Sequence, residues 1–158
     1  MVMSGRRKVF FHLEQDEDGY PPVGTESLWC TPVGGGLFVL DNIPFFFRGA
    51  TLGDSIEVEE EDGRLWYRAT RRESGNSLLR LIVYDRMSLV GVVGELKRLG
   101  CSTEFDAAHR VVAVNVPGGV SLGEVRRYVA GAMTAGLVDC EEPILRQEWA
   151  RSPGEGKS

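Results

Sequence analysis

The sequence predicts an α+β protein with a β-rich first half and a βαββαβ second half. Residues 1–75 consist of short alternating apolar and polar segments separated by turn residues, a pattern typical of a small antiparallel barrel or curled sheet. Residues 77–146 show the order strand, helix, strand, strand, helix, strand, which is the ferredoxin-like pattern. The linker is short, so we expect the first half to pack on the second. Residues 147–158 are polar, which predicts a frayed tail with Trp149 pinned back on the body.

The first half contains segments with strand character that are joined by recognisable turns. Strands are predicted at Lys8–Leu13, Glu26–Val33, Leu37–Leu40, Ser55–Glu60 and Leu65–Thr70. Three consecutive glycines, residues 34–36, predict a tight turn between the second and third of these strands. Asp62 and Gly63 supply the two positive-φ positions of a type I′ hairpin turn between the last two.

The second half begins with a predicted strand, Leu78–Tyr84, and a helix. Apolar residues spaced three or four apart follow Ser88, which predicts Ser88 as the N-cap and Gly100 as the stop of this helix. Two strands are predicted next, at Cys101–Asp106 and Arg110–Val116. The later strand is apolar on both faces, so we expect it to lie in the centre of the sheet.

The second predicted helix has a well-defined beginning. Ser121 and Glu124 form a capping box, and Val120 and Val125 form a hydrophobic staple across it. Gly136 marks the end of this helix, and a last strand is predicted at residues 137–144.

Composition and sequence pattern argue against several classes of function. The net charge of −5 argues against a nucleic-acid partner, and the third strand of the second half, residues 111–116, lacks the aromatic residues on which RNA-recognition modules stack bases. No apolar run approaches the roughly 18 residues of a membrane span, so we expect a cytoplasmic protein.

Cofactor and metal sites are also not expected. The chain lacks a phosphate-binding loop, a nucleophile elbow and a zinc-binding helix motif. Its histidines, His12 and His109, are distant in sequence. Cys30, Cys101 and Cys140 show no CxxC spacing and are interpreted as small apolar residues in a reducing compartment.

The residues with the most distinctive pattern lie in the first half. A Tyr20-Pro-Pro-Val segment precedes Glu26-x-Leu-Trp29, and later come the run Asp-Asn-Ile-Pro-Phe-Phe-Phe at residues 41–47 and the Gly53-Asp54 step. In these elements the sequence resembles a bacterial family of uncharacterised proteins, over roughly residues 8–145. The resemblance implies a shared fold and no established activity.

The favoured hypothesis is a non-catalytic binding or accessory protein. Three consecutive phenylalanines on a strand cannot all point inward, so we expect at least one of them at a surface or groove. Such a surface would hold a partner protein, a peptide or a small apolar ligand. Its predicted residues are Tyr20, Trp29, Asn42, Pro44, Phe45, Phe46 and Phe47.

Two alternatives stay open at this stage. Glu26, Asp41 and Asp54 are carboxylates beside large apolar residues, and burial there would allow acid or base catalysis with Tyr20 as a second proton donor. The same residues fit a structural role, because aspartates in turns accept backbone hydrogen bonds. A third class, a homodimeric scaffold, would pair through the second-half sheet or an edge strand.

Overall fold

A computed structural model describes residues 5–147, and the chain divides into two compact units between Ser74 and Gly75. The expected α+β class is confirmed, since the structure is mostly β-sheet with two helices. The predictions for Trp149 and for the tail beyond Gln147 lie outside the described residues. Within residues 5–147, no helix has the length and apolar character needed to cross a membrane.

The first unit is a closed barrel of five strands in the order β1-β2-β3-β4-β5. The strands are β1 Arg7–His12, β2 Thr25–Gly34, β3 Leu37–Leu40, β4 Ser55–Glu61 and β5 Arg64–Arg72. Consecutive strands pair antiparallel, and β1 closes the barrel by pairing parallel with β5. The expected curled antiparallel sheet is therefore confirmed.

Side-chain alternation on these strands separates a barrel interior from an outer face. On β1, Val9 and Phe11 are fully buried, whereas Lys8 and His12 are exposed and Phe10 is half-buried. The interior residues form one hydrophobic cluster, made of Val9, Phe11, Leu28, Cys30, Leu40, Ala50, Ile56 and Leu65.

The β4–β5 turn has the predicted geometry. Asp62 has φ 53° and Gly63 has φ 80°, so both central residues occupy the left-handed region that a type I′ turn requires. The Asp-Gly pair therefore fixes this hairpin locally, and the prediction is confirmed.

The second unit is a four-stranded sheet with two helices, and the sheet order is β7-β8-β6-β9. Its elements are β6 Ser77–Val83, α1 Arg86–Arg98, β7 Ser102–Asp106, β8 Val111–Val116, α2 Leu122–Thr134 and β9 Val138–Ile144. All neighbouring strands pair antiparallel. Strand β8 is buried at every position and lies between β7 and β6, which confirms the predicted central strand.

The two helices differ in how well the sequence predicted their starts. Helix α2 begins as predicted, because the Ser121 hydroxyl accepts a hydrogen bond of 3.2 Å from the Glu124 backbone N–H. Helix α1 begins earlier than predicted, and the prediction of Ser88 as its cap is wrong. The Asp85 side chain is the N-cap and accepts the Met87 N–H at 3.0 Å. Apolar periodicity missed this turn because Met87 is 85% exposed and adds nothing to the buried stripe.

Candidate functional site

The Glu26 carboxylate on β2 holds the backbone of the aromatic run at residues 45–47. Its two oxygens accept the N–H groups of Phe45 at 2.6 Å, Phe46 at 3.1 Å and Phe47 at 2.9 Å. Glu26 itself is only 9% exposed. Buried backbone N–H groups need hydrogen-bond acceptors, and a carboxylate can accept several strong hydrogen bonds at once. Both oxygens of the Glu26 carboxylate are therefore bound to main chain, whereas acid–base catalysis would need one of them to reach a substrate.

A second link joins the same two segments through the Asn42 side chain and through a backbone hydrogen bond from Asp41. The Asn42 side-chain oxygen accepts the Trp29 N–H at 2.6 Å, and the Asp41 N–H donates to the Trp29 carbonyl at 2.9 Å. Together with the Glu26 bonds, these contacts fasten residues 41–47 to β2 without any strand pairing by that segment. We call this arrangement the β2 clamp.

The two other candidate carboxylates bind different groups. Asp54 is fully buried and accepts the Thr51 N–H at 3.0 Å and the Ser74 N–H at 2.8 Å. Asp41 lies at the surface, where its carboxylate is 3.2 Å from an Arg6 guanidinium nitrogen. Glu26, Asp41 and Asp54 thus have three separate sets of partners and do not form one acid–base group.

The aromatic surface expected at residues 44–47 is mostly interior. Pro44 and Phe46 are buried. The Phe47 ring packs in the barrel core, with its centroid 4.8 Å from that of Phe11 and 4.9 Å from that of Tyr67. Only Phe45 stays half-buried without joining a core cluster. The expectation assumed strand alternation, whereas this segment is an irregular loop whose amides point at Glu26.

Two of the predicted binding residues are exposed. Tyr20 is 44% exposed and meets Phe46 edge-on, with the ring centroids 6.3 Å apart. Trp29 is 36% exposed and points outward from β2, on the side opposite Leu28 and Cys30.

The outside of the barrel carries a row of aromatic rings around Trp66, which lies on β5. We define the outer aromatic face as Phe10, His12, Trp29 and Trp66. Phe10 is the register partner of Trp66 across the parallel β1–β5 pair, with centroids 5.5 Å apart. The His12 ring stacks on Trp66 at 4.2 Å and 8°. Exposed rings gathered on one face favour a contact surface.

Cationic side chains lie over these rings. The Arg6 guanidinium carbon is 5.1 Å and the Lys8 Nζ 4.8 Å from the Trp29 ring centroid. Arg64 lies 4.7 Å above Phe10. Among the described residues, Lys8 and Arg64 have no carboxylate within ion-pair distance, so their charges are held by rings and remain available.

The opposite flank of this face is acidic. Glu59 is the register partner of Trp66 and forms an ion pair with Arg68 at 2.5 Å. Glu61 is the register partner of Arg64. The carboxylates therefore lie on the β4 side of the face, and Lys8 on β1 lies on the side away from them.

Sequence reasoning missed most of this face, although a signal existed. Lys8, Phe10 and His12 alternate along β1, and Arg64, Trp66 and Arg68 alternate along β5. Each set therefore lies on one side of its strand. The missing information was the parallel β1–β5 closure, which brings the two sets together.

The cysteines have the properties of buried thiols. Burial, with the nearby Asp41 carboxylate, raises the pKa of Cys30 to about 12. Burial alone raises the pKa of Cys101 to about 11. Burial and the Glu142 carboxylate raise the pKa of Cys140 to about 12. These thiols stay protonated at neutral pH, when a nucleophile or metal ligand would have to be a thiolate. In the part of the chain that the structure describes, no cluster of three or more potential metal ligands occurs.

Comparisons with known proteins establish the family. A family model described as a domain of unknown function (DUF4265) matches residues 26–140, so the chain belongs to that family and the resemblance to uncharacterised proteins is confirmed. No curated protein matches the chain. A crystal structure of a hypothetical protein from Neisseria gonorrhoeae has a TM-score of 0.74 at 19% identity, covering 90% of this chain and 97% of that one. At this identity the likeness shows the fold alone.

Proposed function

We propose that this chain is a non-catalytic binding protein of the bacterial cytoplasm that holds a partner on its outer aromatic face. The observation that carries the proposal is the row of half-exposed rings at Phe10, Trp29 and Trp66, with Lys8 and Arg64 lying against two of them. Aromatic and cationic residues together are the composition that protein interfaces favour.

The engagement of the motif carboxylates supports a binding role over acid–base catalysis. A general acid or base must reach substrate through a free oxygen. Both Glu26 oxygens accept backbone N–H groups, and both Asp54 oxygens do the same. Tyr20, expected as a second proton donor in the enzyme alternative, meets the Phe46 ring edge-on.

We assign a supporting role to the second unit and propose that it is ferredoxin-like. Its βαββαβ order and its antiparallel sheet order β7-β8-β6-β9 support this assignment. Its two edge strands, β7 and β9, are the places where a homodimeric scaffold would pair. Glu104 and Asp106 on β7 and Pro143 on β9 disfavour such pairing, because charge and proline protect sheet edges.

The test is native mass spectrometry of tagged protein purified gently from its host. We expect a partner to remain with the unmodified protein and to be absent from the Trp29→Ala/Trp66→Ala double variant. The matched control is Met87→Ala/Val90→Ala, which removes two exposed apolar side chains from helix α1. A partner retained equally by all three proteins would contradict the proposed site, and circular dichroism verifies that each is folded.

A further inference from the structure

We infer that the partner segment recognised by the outer aromatic face is an extended acidic peptide, with an apolar residue two positions away from each acidic one. This inference rests on the proposed function and specifies the chemistry of its partner. It follows from the order of charges and rings along β1 and β5, and from what already covers the rings.

Cations occupy positions where a stacked base would lie. Arg6 and Lys8 lie over Trp29, Arg64 lies over Phe10, and the His12 ring stacks on Trp66. Single-stranded nucleic acid binds such platforms by stacking bases on open ring faces. A base would have to displace a cation or His12 at each ring. A carboxylate, in contrast, can bind the outer side of a cation that the ring holds in place.

The spacing of the face matches an extended chain. The register partners Val9 and Leu65 place the next residues toward the N-terminus, Lys8 and Arg64, side by side. Two residues along the strands, roughly 7 Å away, come Phe10 and Trp66. An extended peptide repeats its same-side residues at that interval. An acidic side chain at the Lys8–Arg64 pair therefore places the residue two positions along the peptide beside the half-buried Phe10 and Trp66 rings, where it needs no ring face that Arg64 or His12 covers.

The carboxylates on β4 disfavour an acidic peptide on that side of the outer aromatic face. Glu59 and Glu61 on β4 repel a second acidic chain, although Arg68 partly neutralises Glu59. Trp29, with Arg6 and Lys8 over it, extends the cationic region on the opposite side. The peptide is thus expected along β1 and β5, on the side of these strands that faces away from β4.

The experiment measures fluorescence anisotropy with three probes. They are a fluorescein-labelled peptide of repeated Glu-Ser-Phe-Ser units, its Gln-Ser-Phe-Ser counterpart, and a labelled thymidine oligonucleotide. We expect the glutamate peptide to bind at least about tenfold more tightly than the glutamine peptide or the oligonucleotide, with affinity falling as salt rises. Equal affinity for the two peptides, tighter binding of the oligonucleotide, or no binding of the glutamate peptide would overturn the inference.

Variants place the binding on this face. Lys8→Ala/Arg64→Ala should weaken binding of the glutamate peptide by about tenfold or more, as loss of charge-assisted contacts does. The control Arg86→Ala/Lys97→Ala removes the same charge from exposed positions of α1 and should change affinity less than about twofold. Equal effects of the two double variants would overturn the inference.

The two proposals fail separately. If the glutamine peptide binds as well as the glutamate peptide, and Trp29→Ala/Trp66→Ala abolishes both, the acidic partner is wrong while the binding face stands. If the host partner binds the Trp29→Ala/Trp66→Ala variant as well as it binds the unmodified protein, the proposed binding face itself is wrong.

Discussion

The two sides of strand β2 have side chains in opposite surroundings, one in the barrel interior and the other on its outer face. On the inner side, Glu26 is bound to three backbone N–H groups, and Leu28 and Cys30 belong to the barrel core. On the outer side, Trp29 is part-exposed and carries two cations over its ring. Neighbouring residues of one strand thus lie in the barrel core and on its exposed outer side.

This difference shows that residues of a distinctive sequence motif can serve the fold itself. Two side chains of the motif, the Glu26 carboxylate and the Asn42 amide, bind main chain in the β2 clamp, where Glu26 holds residues 45–47 and Asn42 holds Trp29. An irregular segment has no strand partner for its N–H groups, so side chains elsewhere must accept them. The motif therefore describes how the loop is fastened.

The largest expected effect follows from removing the inner carboxylate. Glu26→Ala leaves the N–H groups of residues 45–47 without their acceptor, and it should lower the free energy of unfolding by about 3–5 kcal/mol. Urea denaturation followed by circular dichroism measures the loss. Glu60→Ala, at an exposed position of the β4–β5 hairpin, is the matched control and should change stability by less than about 0.5 kcal/mol. Similar losses for the two variants would show that the clamp is dispensable.

A smaller effect is expected at the second link of the clamp. Asn42→Ala removes the acceptor of the Trp29 N–H, and it should cost about 1 kcal/mol because water can replace an acceptor near the surface. The same urea titration applies. Asn42→Asp keeps an acceptor oxygen and should retain most of the stability. A loss for Asn42→Asp as large as for alanine would argue that the amide's other contacts matter more.

The smallest structural change among these tests is chemical modification of the buried cysteine thiols. Cys30 and Cys101 are buried with raised pKa values of about 12 and 11, so few of their molecules are thiolates at pH 8. A disulfide reagent at pH 8 should modify them at least about a hundredfold more slowly in the folded protein than in urea. Mass spectrometry of each cysteine peptide follows the rates. Rapid modification of Cys30 in the folded state would mean that the inner side of β2 opens.

The same raised pKa values set a pH dependence of stability. A thiol that stays protonated in the fold favours folding fully below its ordinary pKa of 9.0, and this contribution is lost as pH rises toward 12. The melting temperature of Cys30→Ala should therefore fall less between pH 9 and 11 than that of the unmodified protein. A parallel decline of both proteins would contradict burial as the cause.

Local chemistry predicted much of the fold. The Ser121 N-cap, the Asp62-Gly63 turn and the doubly apolar β8 each depend on neighbouring residues, and each is confirmed. Long-range contacts were not predictable in the same way. Glu26 reaches N–H groups 19 to 21 residues away, and no spacing rule indicates which carboxylate satisfies which loop. The outer aromatic face likewise depends on β1 meeting β5.

The most direct measurement compares the unfolding free energies of Glu26→Ala and Trp29→Thr in the same urea series. Threonine keeps strand propensity, and the part-exposed Trp29 ring lies outside the barrel core with Arg6 and Lys8 over it, so Trp29→Thr should cost about 1 kcal/mol while Glu26→Ala costs about 3 kcal/mol or more. Should Glu26→Ala fail to fold, Glu26→Gln takes its place and should still lose more than Trp29→Thr. A larger loss for Trp29→Thr would make the outer side the structural one and contradict the division of roles across β2.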